Sequence, residues 1–361
     1  MVRPRFSNRT DQGLQLLVLM NLFDKVGELP LVIDGYDIEP YEQLNPGGFR
    51  RLTSVVQLEG GGCVGRGEDT SYAKSDHKSL QRAGTKQPLA GRFTLQSFSE
   101  HLDVLELWPD PASSDMHVNY RRWAYESAAL ELALRQARVS LAEALGRKAN
   151  PASFVVSTGL GTPPSLRRIE ALLAFEPRCR FKLDTSNDWD ASFVSKLAAL
   201  DRVDIVDFKG AYSGTAVDQV ADAKLYSRVI EGLPHALLED PHSAPSIRAL
   251  LDGHWSRVTW DAAIHSASDV AALDVEPQII NIKPSRCGTL RQLLELYEYC
   301  EARGVGMYGG GQFELADGRR QIQEFAGIFH PDGPNDIAPI EFNRSDLMRP
   351  VSDRLLKYTS H

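Results

Sequence analysis

Three short apolar runs, each closed by a charged residue, recur at an even interval past the middle of the chain. Leu237-Leu238-Glu239, Val258-Thr259-Trp260-Asp261 and Ile279-Ile280-Asn281-Ile282-Lys283 set their charges 22 and 22 residues apart. That interval holds one strand, one helix and two loops. A repeat of this length, with a charge at the C-terminal end of each strand, points to a parallel β/α barrel that gathers its chemistry at one mouth. Two carboxylates and a lysine meeting there supply what a divalent cation and a general base require.

The same rhythm runs on either side. After residue 150 the segments SFVVSTG, RFKLD, VDIVDFKG, ALLED, VTWD, IINIK and VGMYGGGQFE read as strands, most followed by a helical stretch. An eighth strand is expected near Asp336 to Phe342. Strands alternating with helices mean βα units, and eight of them suit a barrel rather than an open doubly wound sheet. No GxGxxG follows a first strand, which argues against the open sheet. The expected fold class is therefore α/β, a (β/α)8-type TIM barrel over residues 151–342.

Ahead of it the pattern differs. LVIDGYDIEPY, RLTSVVQLEG and GCVGRGED alternate β-branched residues with glycine turns, as in a small antiparallel sheet. Asn45 to Gly48 reads as a loop between the first two. Tyr120 to Leu145 reads as one long helix with Trp123, Ser127, Leu130, Leu134, Ala137, Leu141 and Leu145 on one face and Gly146 as its stop. Residues 1–150 are thus expected to form an N-terminal α+β capping domain. The apolar segment within residues 1–30 suits an extra helix or an oligomer contact, and the tail 343–361 is expected to return to the cap.

Composition narrows the partners. A net charge of −8 over 361 residues argues against a nucleic-acid surface. No apolar run reaches the roughly 20 residues of a membrane helix. Cys63, Cys179, Cys287 and Cys300 show no CxxC spacing and read as reduced thiols. The expectation is a cytoplasmic homo-oligomer acting on a small molecule, without nucleic acid or membrane.

The strand-end charges carry the chemistry. They are Lys182 and Asp184, Asp207 and Lys209, Glu239 and Asp240, Asp261, Lys283, and Glu314. Asp207, Glu239 and Asp261 come from three consecutive strands and suit one oxygen-ligated Mg²⁺. Any one of them alone could instead cap the next helix or pair with a surface lysine. Lys209 stands two residues after Asp207 and shares its side by the strand period; it is a substrate contact or a salt bridge. Asn281 shares a side with Lys283 and, with Glu314, is a candidate for substrate binding. His242 and His265 follow barrel strands and are either near the mouth or loop and cap histidines. Gly309 to Gly311 could cradle an anion.

In this order of motifs the chain resembles the enolase superfamily, in its muconate-lactonizing and o-succinylbenzoate-synthase-like branch. RLTSVVQLEGGGCVGRGEDTSY is similar to the family's capping domain, and WAYESAALELALRQARVSLAEALG to the helix leading into its barrel. LLEDP resembles its metal-ligand strand, IINIKPSRCG its lysine-bearing sixth strand, and GGGQFELADGRRQI its seventh. The resemblance implies a mechanism: Mg²⁺ binds the substrate carboxylate, a base removes the α-proton, and the metal stabilises the enediolate. Carried over, Asp207, Glu239 and Asp261 are metal ligands, Lys283 is the acid/base, and Lys182 is the first lysine of the second-strand KxK.

Two positions depart from that pattern. KxK has become Lys182-Leu183-Asp184, which puts symmetrical two-lysine racemisation in doubt and leaves Asp184 as an acid, a base or a substrate contact. D-x-N has become Asp207-Phe208-Lys209. A second register is open, in which Asp184 replaces Asp207 as ligand. It would leave a strand–helix unit to spare, whereas the first register spaces the charges at 32, 22 and 22 residues. Elimination, dehydration or cycloisomerisation of a carboxylate is expected, with the Lys283 pKa lowered toward neutrality. The rivals are a Schiff-base enzyme using Lys283 and a non-catalytic relative.

Overall fold

The computed structural model describes residues 21–44, 50–212 and 219–343. The loop at 45–48, most of the apolar segment in residues 1–30, and all but the first residue of the tail 343–361 lie outside these.

The cap is built on strands β1 (Pro30–Ile33), β2 (Gly35–Leu44), β3 (Arg50–Gly60), β4 (Cys63–Asp69) and β5 (Gly91–Thr94). β2, β3 and β4 form an antiparallel meander, and β1 pairs separately with β5. The first predicted strand is therefore two, divided at Asp34. Short helices α1 (Leu22–Gly27), α2 (Lys74–Ala83) and α3 (Leu95–Asp103) pack around them, followed by α4 (Asp115–Ala137).

α4 lies against β4 at unusually close range. A Cβ on Gly65 would stand 2.1 Å from the Ala128 carbonyl oxygen, and one on Gly67 2.0 Å from that of Ala124. The Gly-x-Gly of β4 thus leaves one face of the strand bare, so that the helix backbone can rest on it. The helix expected to run unbroken to Leu145 stops at Ala137. Arg138 turns left-handed, and a second helix, α5 (Leu141–Leu145), starts from a Ser140–Glu143 capping box. The S-x-x-E signal was in the sequence; the shared apolar face across the break concealed it.

The barrel strands are β6 (Val156–Gly159), β7 (Phe181–Asp184), β8 (Val203–Asp207), β9 (Leu237–Glu239), β10 (Val258–Thr259), β11 (Ile279–Ile282) and β12 (Gly306–Gly309). β6 to β10 form one parallel sheet in sequence order, and β11 pairs in parallel with β12. The Asn281 amide donates to the Trp260 carbonyl at 3.0 Å and joins β10 to β11. On the other edge, Asp336 N donates to Gly309 O at 2.8 Å, and Val155 N to Asn335 O at 2.8 Å. The ring is closed, a (β/α)8 barrel. Its eighth stave is only the bridging pair Asn335 and Asp336, not a strand from Asp336 to Phe342; residues Ile340–Asn343 form a 3-10 turn. Pro334 and Pro339 flank this stave, where ladder donors would be needed.

Two links dock the cap on the C-terminal end of the barrel. Glu68, at the end of β4, accepts from the amides of Leu315 (2.6 Å), Ala316 (3.0 Å) and Gly318 (3.1 Å). These are the free donors at the start of the barrel helix Asp317–Phe329, where a carboxylate is favoured. The fully buried Arg51 ties the carbonyls of Thr70 and Ser71 to those of Gln312 and Phe313.

Candidate active site

The strand ends place their charges together under the cap. Asp207 ends β8, level with Asp184 on β7 and Glu239 on β9. Asp261 lies two residues past β10, and Lys283 directly follows β11. Within the 32-residue interval between Asp207 and Glu239 the described residues form one helix, Ala223–Gly232. β8 and β9 pair directly with Asp207 opposite Glu239, so the two carboxylates stand on adjacent strands.

The charges interlock. Lys182, buried on β7, pairs with Glu239, with Asp207 at 3.5 Å and with Asp336 at 3.5 Å. Lys209 pairs with Asp207 and, at 3.0 Å, with Asp184. It arrives there through a turn, with φ 55°, rather than by the strand period. Lys283 Nζ lies 2.8 Å from Asp261 Oδ2, and Arg286 donates to the Asp261 carbonyl at 2.9 Å. Pro284 explains this last contact. It ends β11 and opens a short helical turn, Pro284–Cys287, which swings Arg286 back over Asp261. Asp240, at φ 45°, accepts from the amides of Asp261 (2.8 Å) and Ala262 (2.9 Å) and fixes the neighbouring strand end.

Burial and pairing set the protonation states. Burial pushes the Asp207 carboxyl up, but Lys209 and Lys182 outweigh it and hold the group down at about 2. Burial likewise opposes the charge on Lys182, yet Glu239, Asp207 and Asp336 hold it well above the ordinary lysine value. Lys283 departs from expectation in the same way: burial lowers it, but Asp261 raises it more, so it stands as an ammonium rather than near neutrality. Glu239 is pushed above the usual carboxylate range by burial and by Asp207 and Asp261, against the pull of Lys182.

A cavity of about 560 Å³ opens above this cluster. Lys182, Asp184, Lys209, Lys283, Arg286 and Asp336 form its floor, while Tyr72 and His117 reach in from the cap. Asp207, Glu239 and Asp261 lie just beneath, each almost wholly buried.

A metal is implied here by the superfamily, and the donor set fits one in type and charge. Among the described residues Asp184, Asp207, Glu239, Asp240, Asp261 and Asp336 stand against Lys182, Lys209, Lys283 and Arg286, so that with every carboxyl ionised two negative charges would be in excess. Asp261 Oδ1 is buried with no hydrogen-bond partner. Hard carboxylate oxygens with a surplus of two charges suit a divalent cation of the Mg²⁺ type. Among the described residues no three acidic, histidine or cysteine side chains are yet grouped around a common point, because lysine ammonium groups stand between them.

Other expected site residues fall differently. Asn281 is buried beside Lys283 beneath Gly310, with neither amide atom hydrogen-bonded, and does not line the cavity. Glu314 lies five residues beyond β12 rather than at its end; it accepts from Gln312 N at 2.7 Å and shapes that loop. Gly309 and Gly310 spend their amides on Asn335 and Ile282, so these two are not available to an anion; Gly310 makes room for Asn281 and Lys283 instead. The His242 ring accepts from Ala244 N at 3.0 Å, and His265 pairs with Asp269 at 3.7 Å; both are cap and loop histidines outside the cavity. Arg286, Asp336 and Tyr308, which donates to Glu239, were missed. Pro284-Ser285-Arg286 and the inward period of β12 were usable signals for two of them; nothing local marks Asp336.

Comparisons with known proteins agree with this architecture. A family model described as Domain of unknown function (DUF8230) C-terminal domain matches residues 148–344, and its N-terminal domain counterpart matches residues 24–144. The o-succinylbenzoate synthase of Bacillus subtilis (strain 168) is 27% identical over 306 residues, 80% of this chain and 78% of that protein. An N-succinylamino acid racemase of Amycolatopsis sp is 27% identical over 239 residues, 63% of this chain and 62% of that protein, so the match spans less than two thirds of the racemase. A dipeptide epimerase from Enterococcus faecalis V583 superposes with a TM-score of 0.64 at 17% identity, over 87% of this chain and 91% of that one. A muconate cycloisomerase from Pseudomonas fluorescens gives 0.63 at 18%, over 85% and 87%. At such identities the structural likeness speaks for the fold. With one domain model covering more than half of its length, the chain belongs to the DUF8230 family, and it is a member of the enolase superfamily of enzymes.

Proposed function

We propose that the protein removes the α-proton of a small carboxylate substrate in a Mg²⁺-dependent reaction, followed by elimination, dehydration or cycloisomerisation. The observation that carries this reading is the meeting of Lys182 and Lys283 on one cavity floor, directly over carboxylates from three consecutive strands. Asp207, Glu239 and Asp261 would hold the metal. When bound, it supplies fixed positive charge against the negative charge that grows on the substrate carboxylate as the proton leaves.

The chain's own residues do the rest. The cationic floor draws in the substrate carboxylate and orients it. Lys283 is the principal acid/base: Asp261 keeps its proton on until that carboxylate's charge is shared elsewhere, after which burial favours the neutral amine. Lys182 stays charged and stabilises the carboxylate oxygens without taking the proton. On β7 and β8, Asp184 and Lys209 are paired with each other, and Lys209 is held as an ammonium. Asp184 takes the place of the second lysine of KxK, which favours one-sided proton transfer over two-lysine racemisation. The cap closes over the floor and keeps bulk water from the exposed carbanion.

The test is α-proton exchange in D₂O on N-succinyl-amino acids and succinate, with and without EDTA. Exchange should need the metal. Lys283→Ala should cut it by roughly 10²–10⁴-fold, the usual contribution of a general acid/base. Lys182→Ala should slow exchange and weaken carboxylate binding. Full exchange in Lys283→Ala sinks the assignment. Activity in EDTA together with a borohydride-trapped adduct would establish the Schiff-base alternative.

A further inference from the structure

Large apolar side chains exposed among the described residues are few, and three of them line the same cavity. Tyr72 is 40% exposed, Met116 39% and Phe313 45%, and all three border the space above the lysines. Phe313 is the most telling. Its φ of 56° is left-handed, a region that a bulky side chain avoids. The backbone is held there from the cap. Arg51 donates to Phe313 O at 3.2 Å and to Gln312 O at 2.9 Å, while Tyr72 OH donates to Gln312 Oε1 at 2.7 Å. The Arg51 guanidinium also lies 4.5 Å from the centre of the Tyr72 ring. A buried, fully engaged arginine therefore maintains a strained backbone whose effect is to keep a phenyl ring out of the core and at the mouth. Such strain persists where the surroundings impose it, and it gathers at ligand sites.

The cavity is thus polarised, with cations on its buried floor and, beside Gln312 and Arg319, exposed aromatic and thioether surface from Tyr72, Met116 and Phe313. A volume of about 560 Å³ is far more than one carboxylate fills. We infer that the substrate is a carboxylate carrying an aromatic group at its far end, gripped by Phe313, Met116 and Tyr72, and that Phe313 is the specificity-determining residue. Aromatic rings and a methionine sulfur favour another ring through edge and offset contacts. This inference rests on the reading of the cavity as the carboxylate site and adds the chemistry of the other end.

Calorimetric titration of the full chain in MgCl₂ with succinate and with phenylsuccinate separates the two ends, because these ligands differ by one ring. Phenylsuccinate should bind at least about tenfold tighter, the effect expected of burying an aromatic ring. Phe313→Asn is the informative variant, since asparagine tolerates the left-handed backbone and removes the ring. It should bring the two affinities together while leaving that for succinate unchanged; Met116→Ala should do so in part. Equal affinities in the parent, or a preference that survives Phe313→Asn, overturn the inference. Exchange at the α-carbon of succinate, read in the same samples, reports the proposed reaction separately. Loss of exchange with the preference intact strikes only the reaction, and failure of both ligands to bind overturns both readings.

Discussion

Replacing Gly310 with alanine should disable Lys283 without touching a charge. Gly310 follows β12 with no left-handed φ, so its role is one of space. A Cβ there would stand 2.5 Å from Asn281 Oδ1 and 2.6 Å from Lys283 Cε. Comfortable separations are about 3.5 Å or more, so one or both side chains must yield by about 1 Å. Both are buried, and Lys283 Nζ is placed by its 2.8 Å contact with Asp261. A displacement of about 1 Å at a reacting group costs on the order of 10²-fold in rate. Overpacking should add about 1–3 kcal/mol of destabilisation. The assay is deuterium exchange into an N-succinyl-amino acid, with thermal unfolding measured on the same preparations. Gly159→Ala serves as the control, because its Cβ would meet nothing within 4 Å at the end of β6, beyond the Asn335–Asp336 stave from Gly310. Parent-rate exchange in Gly310→Ala, or an equal loss in Gly159→Ala, would refute the steric argument.

Two further outcomes are expected. Mg²⁺ affinity by calorimetry should fall sharply in Asp207→Ala and much less in Asp184→Ala, since Asp207 is the buried carboxylate beside Glu239 while Asp184 pairs outward with Lys209; the reverse order would show that the ligand register is wrong. Buried His330, between Asn335 and Tyr297, is pushed down to about 4 by burial. The unfolded chain takes up this proton near its ordinary value of about 6.5, before the folded protein does, so stability falls as pH drops from about 6.5 to 4, by about 3 kcal/mol from this group. Denaturant titrations should show a shallower pH slope in His330→Gln than in the parent, and parallel slopes would remove His330 as the cause.

Local sequence was sufficient for the barrel and for most of the charged cluster at its mouth, though not for Arg286 or Asp336. Strand ends are marked by short apolar runs, and the interval between charges records the strand–helix repeat, so Asp207, Glu239, Asp261, Lys182 and Lys283 could be named from spacing and resemblance. The eighth stave was misplaced because two residues between prolines carry no strand pattern. The break after Ala137 was masked by an apolar face that continues through it.

Tertiary structure decided what those charges do to one another. Sequence places Lys182 and Glu239 57 residues apart, and only barrel closure brings them into contact and adds Asp336 from the last stave. The state of Lys283 in its pair with Asp261 could not be read locally for the same reason: burial lowers a lysine, and the opposing charge is a carboxylate whose distance no spacing rule states. Glu68 as a helix cap, Arg51 as the clasp and Phe313 as an outward ring all depend on the cap meeting the barrel. A strand period tells which side of a sheet a residue faces. It carries no information about which distant side chain will be waiting there, because that is set by packing between segments far apart in the chain.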